Sequence, residues 1–279
     1  ERRDYNRAAT VYRSLHNTLE SWLGITPLKE TSALYYAIMD EWNRAAEDSE
    51  VGGQDFLIGR WDLFQQMARP FNMDSPKLRP RSMVLIGEAG VGKSHLLNYF
   101  LKNARLEQWT VVTASCFKSH QREQLHPWQV IMASLHTISE TEGIKIPKAL
   151  AYIAASLFPI FYADIKQPPS MNFTLNSGAA YEGVLSILSQ ISARKPLMLV
   201  FEDIQWMDSA SVLLLDQLIH RVDAGHVLFV AACRSEADAP VAGFLDAAQE
   251  DGLLTRFELV PFTEEETMQF ITQSGGREF

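Results

Sequence analysis

The stretch Gly87-Glu88-Ala89-Gly90-Val91-Gly92-Lys93-Ser94 decides the fold of this 279-residue chain. It has the spacing G-x-x-x-x-G-K-[ST], in which glycines let the backbone curl so that several N–H groups point at one phosphate. An apolar strand pattern, Met83–Ile86, precedes the stretch. An amphipathic helix pattern follows it, with apolar residues at Leu96, Leu97, Phe100 and Leu101. A glycine loop between a strand and a helix N-terminus predicts a phosphate-binding site.

The motif, a P-loop, also predicts what each polar residue does. Lys93 would reach the β- and γ-phosphates of a nucleotide, and the Ser94 hydroxyl would ligate Mg²⁺. The predicted nucleotide-binding residues are the eight quoted above and the next one, His95. The predicted cofactors are therefore ATP or ADP, with Mg²⁺.

A second apolar run, Leu197–Phe201, ends in two carboxylates, Glu202 and Asp203. A P-loop needs an acidic group near the metal on a neighbouring strand, and this run has that Walker B form. We interpret Glu202 as a contact to Mg²⁺, with Asp203 orienting or deprotonating the attacking water. The sequence does not exclude the reverse assignment. Together with Lys93, these two acids are the predicted catalytic residues of an ATPase.

Alternating strand and helix patterns begin at Phe56. Strands are predicted near residues 83–86, 110–114, 197–201, 226–232 and 256–260, and helices near 60–69, 93–104, 127–140, 148–158, 178–193 and 209–222. Residues 160–177 are predicted to be an irregular loop, and Thr263-Glu264-Glu265-Glu266 has the capping-box spacing that starts a helix. This alternation predicts an α/β fold with a parallel five-stranded sheet and helical crossovers.

The residues before Phe56 predict a different organisation. Residues 1–47 are interpreted as a helical hairpin, divided at Gly24-Ile25-Thr26-Pro27, and the acidic stretch 48–55 as a linker. Residues 56–260 would form the P-loop domain, and residues 261–279 would begin a helical lid. The chain is expected to be a piece of a larger protein.

Composition argues against several classes of protein. The chain has 25 basic and 34 acidic residues, a net charge of −9, whereas broad nucleic-acid binding needs clustered Lys and Arg. The uncharged apolar stretch 149–163 contains Pro159 and is shorter than the ~20 residues of a membrane-spanning helix. Cys116 and Cys233 cannot form a disulfide framework and are interpreted as packing residues. A cytoplasmic location is predicted.

The positions of other polar residues along the chain indicate their roles. Asp208 precedes Ser209-Ala210-Ser211 and an apolar helix, so we interpret it as a helix N-cap. Arg234 follows a strand, where an arginine can contact the γ-phosphate. The histidines show no metal-ligand spacing, and His126 and His226 are interpreted as structural.

Four segments together resemble the STAND branch of AAA+-like ATPases, which in bacteria is the regulatory module of large transcription activators. They are the P-loop, Phe56–Arg60 (FLIGR), Leu199–Asp208 (LVFEDIQWMD) and Val227–Arg234 (VLFVAACR). The resemblance covers about residues 56–279 and implies the strand order 5-1-4-3-2. It also implies that Gly59 and Arg60 lie near the nucleotide base and that Arg234 acts as a sensor.

The hairpin resembles the end of the bacterial transcriptional activator domain of SARP-type regulators, through residues 12–15, 23–27 and 33–35 (YRSL, LGITP and ALY). Both resemblances imply a slow, nucleotide-driven switch. Its partners would be a nucleotide, a second copy of the chain, and DNA and RNA polymerase through domains outside this stretch, with no membrane. Two alternatives stay open: a motor-type AAA+ ATPase and a scaffold that binds nucleotide without hydrolysis.

Overall fold

The structure, a computed structural model, describes residue 31 and residues 57–72, 81–165, 178–222, 226–236 and 239–273. The predicted hairpin and linker lie outside the described residues, apart from Thr31, which is helical. One compact unit comprises Gly59–Glu266, and a second comprises the residues before and after it. The P-loop and the acidic pair of the predicted nucleotide site therefore belong to one unit.

Five parallel strands form a sheet in the spatial order β2-β3-β4-β1-β5. They are β1 (Ser82–Gly87), β2 (Thr110–Ser115), β3 (Leu197–Glu202), β4 (Val227–Cys233) and β5 (Leu254–Leu259). Read from the other edge, this is the predicted order 5-1-4-3-2, which is confirmed. Ile86 pairs with Cys233 and Ser115 pairs with Glu202, so the strands end together at one edge. In open parallel sheets, ligands bind at this edge.

Helices connect the strands. They are α1 (Trp61–Ala68), α2 (Lys93–Leu106), α3 (His126–Thr141), α4 (Lys148–Ala155), α5 (Gly178–Ser192), α6 (Ser209–Arg221), α7 (Ala239–Glu250) and α8 (Glu264–Gln273). The capping box is confirmed, because the Thr263 amide donates to Glu266 and the Glu266 amide donates to the Thr263 hydroxyl. The predicted irregular loop instead begins with a 3-10 helix, Pro159–Asp164, and residues 166–177 lie outside the described part.

Helix α7 was missed by the sequence patterns, which placed no helix between β4 and β5. Its buried residues, Val241, Phe244, Leu245 and Ala248, do recur at helical spacing. Pro240 and Gly243 mask this pattern, because both residue types usually signal loops. Proline is nevertheless tolerated in the first turn of a helix, where its missing N–H leaves no hydrogen bond unmade.

One face of the sheet packs against a large apolar cluster. Trp128 of α3 is fully buried there, with its ring centroid 5.0 Å from that of Phe201. Side chains alternate along a strand, so Glu202, the residue after Phe201, projects from the opposite face. The buried residues of α2 lie outside the cluster although α2 contacts β1, β2 and β4. Core packing thus directs Glu202 to the face that α2 covers.

The apolar stretch 149–163 contributes to this same cluster through Ala151, Ala154, Ala155, Phe158 and Phe161. Helix α4 ends at Ala155, before Pro159. Among the residues that the structure describes, no helix combines the length and apolar character needed to span a membrane.

Candidate nucleotide site

The P-loop glycines are needed for two different reasons. Gly90 and Gly92 have φ angles of +80° and +99°, in the left-handed region that favours glycine. Gly87 is restricted by space instead, because a Cβ there would lie 2.5 Å from the Leu259 carbonyl oxygen of β5. The loop therefore curls freely at its tip and approaches a neighbouring strand closely at its base.

Lys93 holds the loop together from the first position of α2. Its side chain is only 8% exposed, and Nζ donates to the carbonyl oxygens of Gly87 at 2.8 Å and Glu88 at 2.7 Å. Burial lowers the Lys93 pKa, the Asp203 charge raises it, and the Arg234 charge lowers it. Asp203 and Arg234 therefore lie within electrostatic reach of the P-loop cation.

The start of α2 suits an anion. Its N-cap residue is Gly92, which has no side chain to cap the first amide groups of the helix. The helix dipole and the Lys93 charge both favour a negative group there. The space beside Gly90 and Gly92 is open: apart from the adjacent residues, no atom in the described part of the chain lies within 4 Å of a Cβ built at either glycine. The P-loop residues thus fit a nucleotide phosphate.

The remaining predicted loop residues differ in exposure. Glu88, Ala89, Ser94 and His95 are exposed, whereas Val91 is half-buried. Ser94 lies in the first turn of α2, directly after Lys93. Their assigned contacts with nucleotide and Mg²⁺ stay predictions.

The two carboxylates of the acidic pair occupy different environments. Glu202 ends β3 and is half-buried, so desolvation raises its pKa, and the charge of Asp203 raises it further. Asp203 is exposed and has a φ of +54°, an uncommon conformation outside glycine. This conformation turns the chain sharply where β3 ends. These different environments are compatible with different roles for the two acids. Contact of Glu202 with Mg²⁺ and activation of water by Asp203 stay predictions.

Gln205 connects two of the predicted site residues and was missed by the sequence analysis. Its side chain is 3% exposed. Nε2 donates to Oδ1 of Asp203 at 2.9 Å, while Oε1 accepts the backbone N–H of Arg234 at 3.1 Å. An amide can do both at once, because it carries a donor and an acceptor. The sequence holds no signal for this bridge, since its two partners follow different strands, β3 and β4.

Arg234 directly follows β4, as predicted, and its side chain is exposed. Its backbone is held by Gln205, and its charge acts on Lys93. The structure therefore brings Lys93, Asp203 and Arg234 to one edge of the sheet. Contact of Arg234 with the γ-phosphate stays a prediction.

Asp208 is the N-cap of α6, which confirms that interpretation. Its carboxylate accepts the Ser211 amide at 2.9 Å and the Ser211 hydroxyl at 2.6 Å. The same carboxylate also accepts the backbone N–H of Leu125, at 3.1 Å. Asp208 therefore fixes the end of the β2–α3 loop as well, a second role that the sequence did not predict.

Gly59 and Arg60 are attached to the segment after β5. The buried Arg60 guanidinium donates to the Val260 carbonyl oxygen and lies 4.4 Å from the centroid of the Phe262 ring. Burial lowers the Arg60 pKa, and Glu266 opposes that effect. Gly59 has a φ of +63°, and a Cβ there would overlap the Glu266 carboxylate. These contacts give both residues a structural role, while their proximity to the nucleotide base stays a prediction.

Both cysteines are buried and free. Burial is the main factor that raises the Cys116 pKa to about 12 and the Cys233 pKa to about 11. Protonated thiols are poor nucleophiles, in agreement with the interpretation of both as packing residues.

Comparison with known proteins identifies a family. The family model described as "AAA ATPase domain" matches residues 57–230, more than half of the chain. An uncharacterized protein of Rhizobium meliloti (strain 1021) is 28% identical over 206 residues, which are 67% of this chain and 19% of that protein. The chain thus spans about a fifth of the length of this curated relative.

Many solved structures are similar to part of this chain. The ORC2 protein of Aeropyrum pernix, solved as ADPNP–ADP complexes, is 13% identical with a TM-score of 0.46, over 77% of this chain and 50% of that one. Cdc6p of Pyrobaculum aerophilum is also 13% identical with a TM-score of 0.46, over 78% of this chain and 49% of that one. The chain therefore spans about half the length of each.

Proposed function

This chain belongs to the AAA ATPase domain family, and we propose that its P-loop site binds Mg·ATP and hydrolyses it slowly as a regulatory switch. The observation that carries the proposal is the connected set of Lys93, Asp203, Gln205 and Arg234 at the carboxyl edge of the sheet. A cation, an acid and a second cation at one edge suit both binding and cleavage of a γ-phosphate.

Phosphate binding is assigned to the P-loop. Lys93 already donates to the Gly87 and Glu88 carbonyl oxygens, and a phosphate oxygen would replace one of these acceptors. The amides at the start of α2 would supply further donors. Ser94 and Glu202 would hold Mg²⁺, which neutralises phosphate charge when it is bound.

Water activation is assigned to Asp203. Its carboxylate is exposed, and one oxygen is fixed by Gln205, so the other remains able to accept a proton from water. Arg234 would sense the γ-phosphate, because its backbone is anchored by the same glutamine. A shift of either residue would therefore reach the other through Gln205.

The biological setting is a finer proposal, supported by the sequence segments that resemble STAND and SARP-type proteins. In this setting the nucleotide state controls a bacterial transcription activator, with self-association of the chain. DNA and RNA polymerase would be contacted by domains outside this stretch. The strongly acidic composition agrees with an absence of broad DNA contact by this part.

Nucleotide titration followed by phosphate release tests the function. We expect fluorescent ATP and ADP to bind the chain and single-turnover hydrolysis to be slow. Rapid multiple turnover would instead favour a motor-type ATPase. Binding without any phosphate release would favour the scaffold, and failure to bind either nucleotide would contradict the proposal.

Gln205→Leu is expected to slow single-turnover hydrolysis about tenfold or more with little change in ATP affinity, because Asp203 loses its anchor while Lys93 is untouched. Leaving the Arg234 amide without its acceptor should also cost about 1–3 kcal/mol of stability, measurable by chemical unfolding. Gln205→Glu keeps an acceptor for Arg234 but removes the donor to Asp203, so it should slow hydrolysis too. The exposed Gln129→Leu serves as the control. Equal turnover in all four proteins would exclude a role for the bridge.

A further inference from the structure

Three potential metal ligands converge on the loop between β2 and α3. His120 ends a short 3-10 helix, Lys118–His120, and His126 begins α3, with Glu123 between them. Nδ1 of His120 lies 3.1 Å, and Nε2 of His126 lies 4.0 Å, from the same carboxylate oxygen of Glu123. One ligand atom from each residue lies within 4.8 Å of the other two. The sequence did not predict this cluster, because the histidines show no metal-ligand spacing along the chain.

The loop geometry explains why the sequence did not show the cluster. In a regular helix, residues six positions apart point about 120° away from each other, so the spacing H-x-x-E-x-x-H would separate the two histidines. Here, the 3-10 turn and the left-handed Leu125, with a φ of +59°, bend the chain so that the two imidazole rings stack 4.1 Å apart. Only the folded loop brings these side chains together.

The backbone that carries the three residues is well supported. The His120 amide donates to the Phe117 carbonyl oxygen and the Glu123 amide to the His120 carbonyl oxygen, both at 2.9 Å. The Leu125 amide donates to the buried Asp208 carboxylate at 3.1 Å. Binding a ligand would therefore need side-chain rotation rather than ordering of the loop, and it would cost little conformational entropy.

We propose that His120, Glu123 and His126 form a binding site for a divalent transition-metal ion of the Zn²⁺ class. Two imidazole nitrogens favour such ions over Mg²⁺ or Ca²⁺, which prefer oxygen ligands. Three protein ligands leave the fourth tetrahedral position to water. The Glu123 side chain is 58% exposed, so the open side of the site faces solvent. This proposal does not depend on the nucleotide site.

The same geometry limits the affinity of the site for a metal ion. Ligand atoms around tetrahedral Zn²⁺ lie about 3.4 Å apart, so the stacked rings must rotate to make their lone pairs converge. His126 Nδ1 is buried without a hydrogen-bond partner among the described residues. Coordination through Nε2 would place the ring proton on that nitrogen, where none of the described residues accepts it. We therefore expect reversible binding rather than a permanent structural ion.

Both ends of the loop between β2 and α3 are hydrogen-bonded to the segment that carries the acidic pair. At one end, the Cys116 amide donates to the Glu202 carbonyl oxygen at 2.8 Å. At the other end, Asp208 accepts the Leu125 amide. Glu202 and Asp208 both belong to that segment. A metal that restrains the loop would thus act on this segment, and any coupling between the two sites would be reciprocal.

Co²⁺ titration of the full 279-residue chain, free of any affinity tag, tests the proposal. We expect one ion per chain, visible absorption typical of four- or five-coordinate Co²⁺, and loss of that absorption when Zn²⁺ displaces it. His120→Ala and His126→Ala should each weaken Zn²⁺ binding, measured by calorimetry, at least tenfold. Glu123→Gln should weaken Zn²⁺ binding as well. Because Glu123 is exposed, this variant is expected to fold even if His126→Ala does not.

His220→Ala is the matched control. His220 also lies between two carboxylates, but Asp216 and Asp251 approach different ring nitrogens and so cannot converge on one ion. This variant should bind Zn²⁺ as the parent chain does. An octahedral, weakly coloured Co²⁺ spectrum would overturn the proposal. So would Zn²⁺ affinity that is unchanged in all three loop variants or equally reduced by His220→Ala.

Discussion

Replacement of Asp203 by asparagine is expected to leave Mg·ATP binding intact and to slow its hydrolysis by about 10²–10⁴-fold, the usual contribution of a general base. The change is conservative for the fold. Asparagine accepts the Gln205 Nε2 hydrogen bond as aspartate does, and it tolerates the left-handed backbone at this position. Only the negative charge that would attract a proton from water is lost. Single-turnover hydrolysis alongside ATP affinity, with and without Mg²⁺, is the measurement.

The companion change, Glu202→Gln, is expected to act on metal dependence instead. Glu202 is half-buried at the end of β3 on the face that α2 covers, where a carboxylate can approach a bound metal. Its raised pKa adds a second test. Because Mg²⁺ needs the deprotonated carboxylate, the benefit of Mg²⁺ for ATP binding should be present at neutral pH. As the pH falls, this benefit of Mg²⁺ should be lost at a higher pH than it would be if Glu202 had the pKa of an ordinary glutamate.

The exposed Asp62→Asn in α1 controls for loss of charge alone and should behave as the parent chain. If Asp203→Asn abolishes Mg²⁺-dependent binding and Glu202→Gln abolishes only turnover, the two acids have the reverse roles. If neither change affects hydrolysis or Mg²⁺-dependent binding, neither acid has the role that is assigned to it here.

Lys93→Ala is expected to lower ATP affinity tenfold or more, about 1.4 kcal/mol of binding free energy for each factor of ten. The lysine is the buried cation of the P-loop, and alanine removes the charge that faces the β- and γ-phosphates. It also removes two hydrogen bonds, to the Gly87 and Glu88 carbonyl oxygens, that hold the loop in shape. Isothermal titration calorimetry with ATP and ADP measures the effect.

Lys93→Met separates charge from packing, because it retains the apolar stem of the side chain. It should lose nearly as much ATP affinity as alanine while unfolding at a higher denaturant concentration. Lys148→Ala, at an exposed position in α4, is the control for removal of a lysine elsewhere. Unchanged ATP affinity in both Lys93 variants would exclude the P-loop as the nucleotide site.

Local sequence patterns were sufficient for most of the fold. The five strands lie within a few residues of their predicted positions. Most are short apolar runs, whereas β5 mixes buried apolar residues with exposed polar ones. The Asp208 N-cap and the Thr263–Glu266 capping box were also predicted, because capping depends on residues three positions apart. The pattern failed for α7, where Pro240 and Gly243 suggest a loop although the buried residues recur at helical spacing.

The P-loop motif, the acidic pair and the arginine after β4 are properties of the sequence itself, since each is a short pattern attached to one strand. What the sequence could not provide is which side chains from different strands meet. Gln205 joins the segment after β3 to the residue after β4, Asp208 fixes the β2–α3 loop, and Arg60 reaches the segment after β5. These contacts join residues 29, 83 and 200 positions apart. They exist only because parallel strands end at one edge, and the geometry of that edge is decided by tertiary packing.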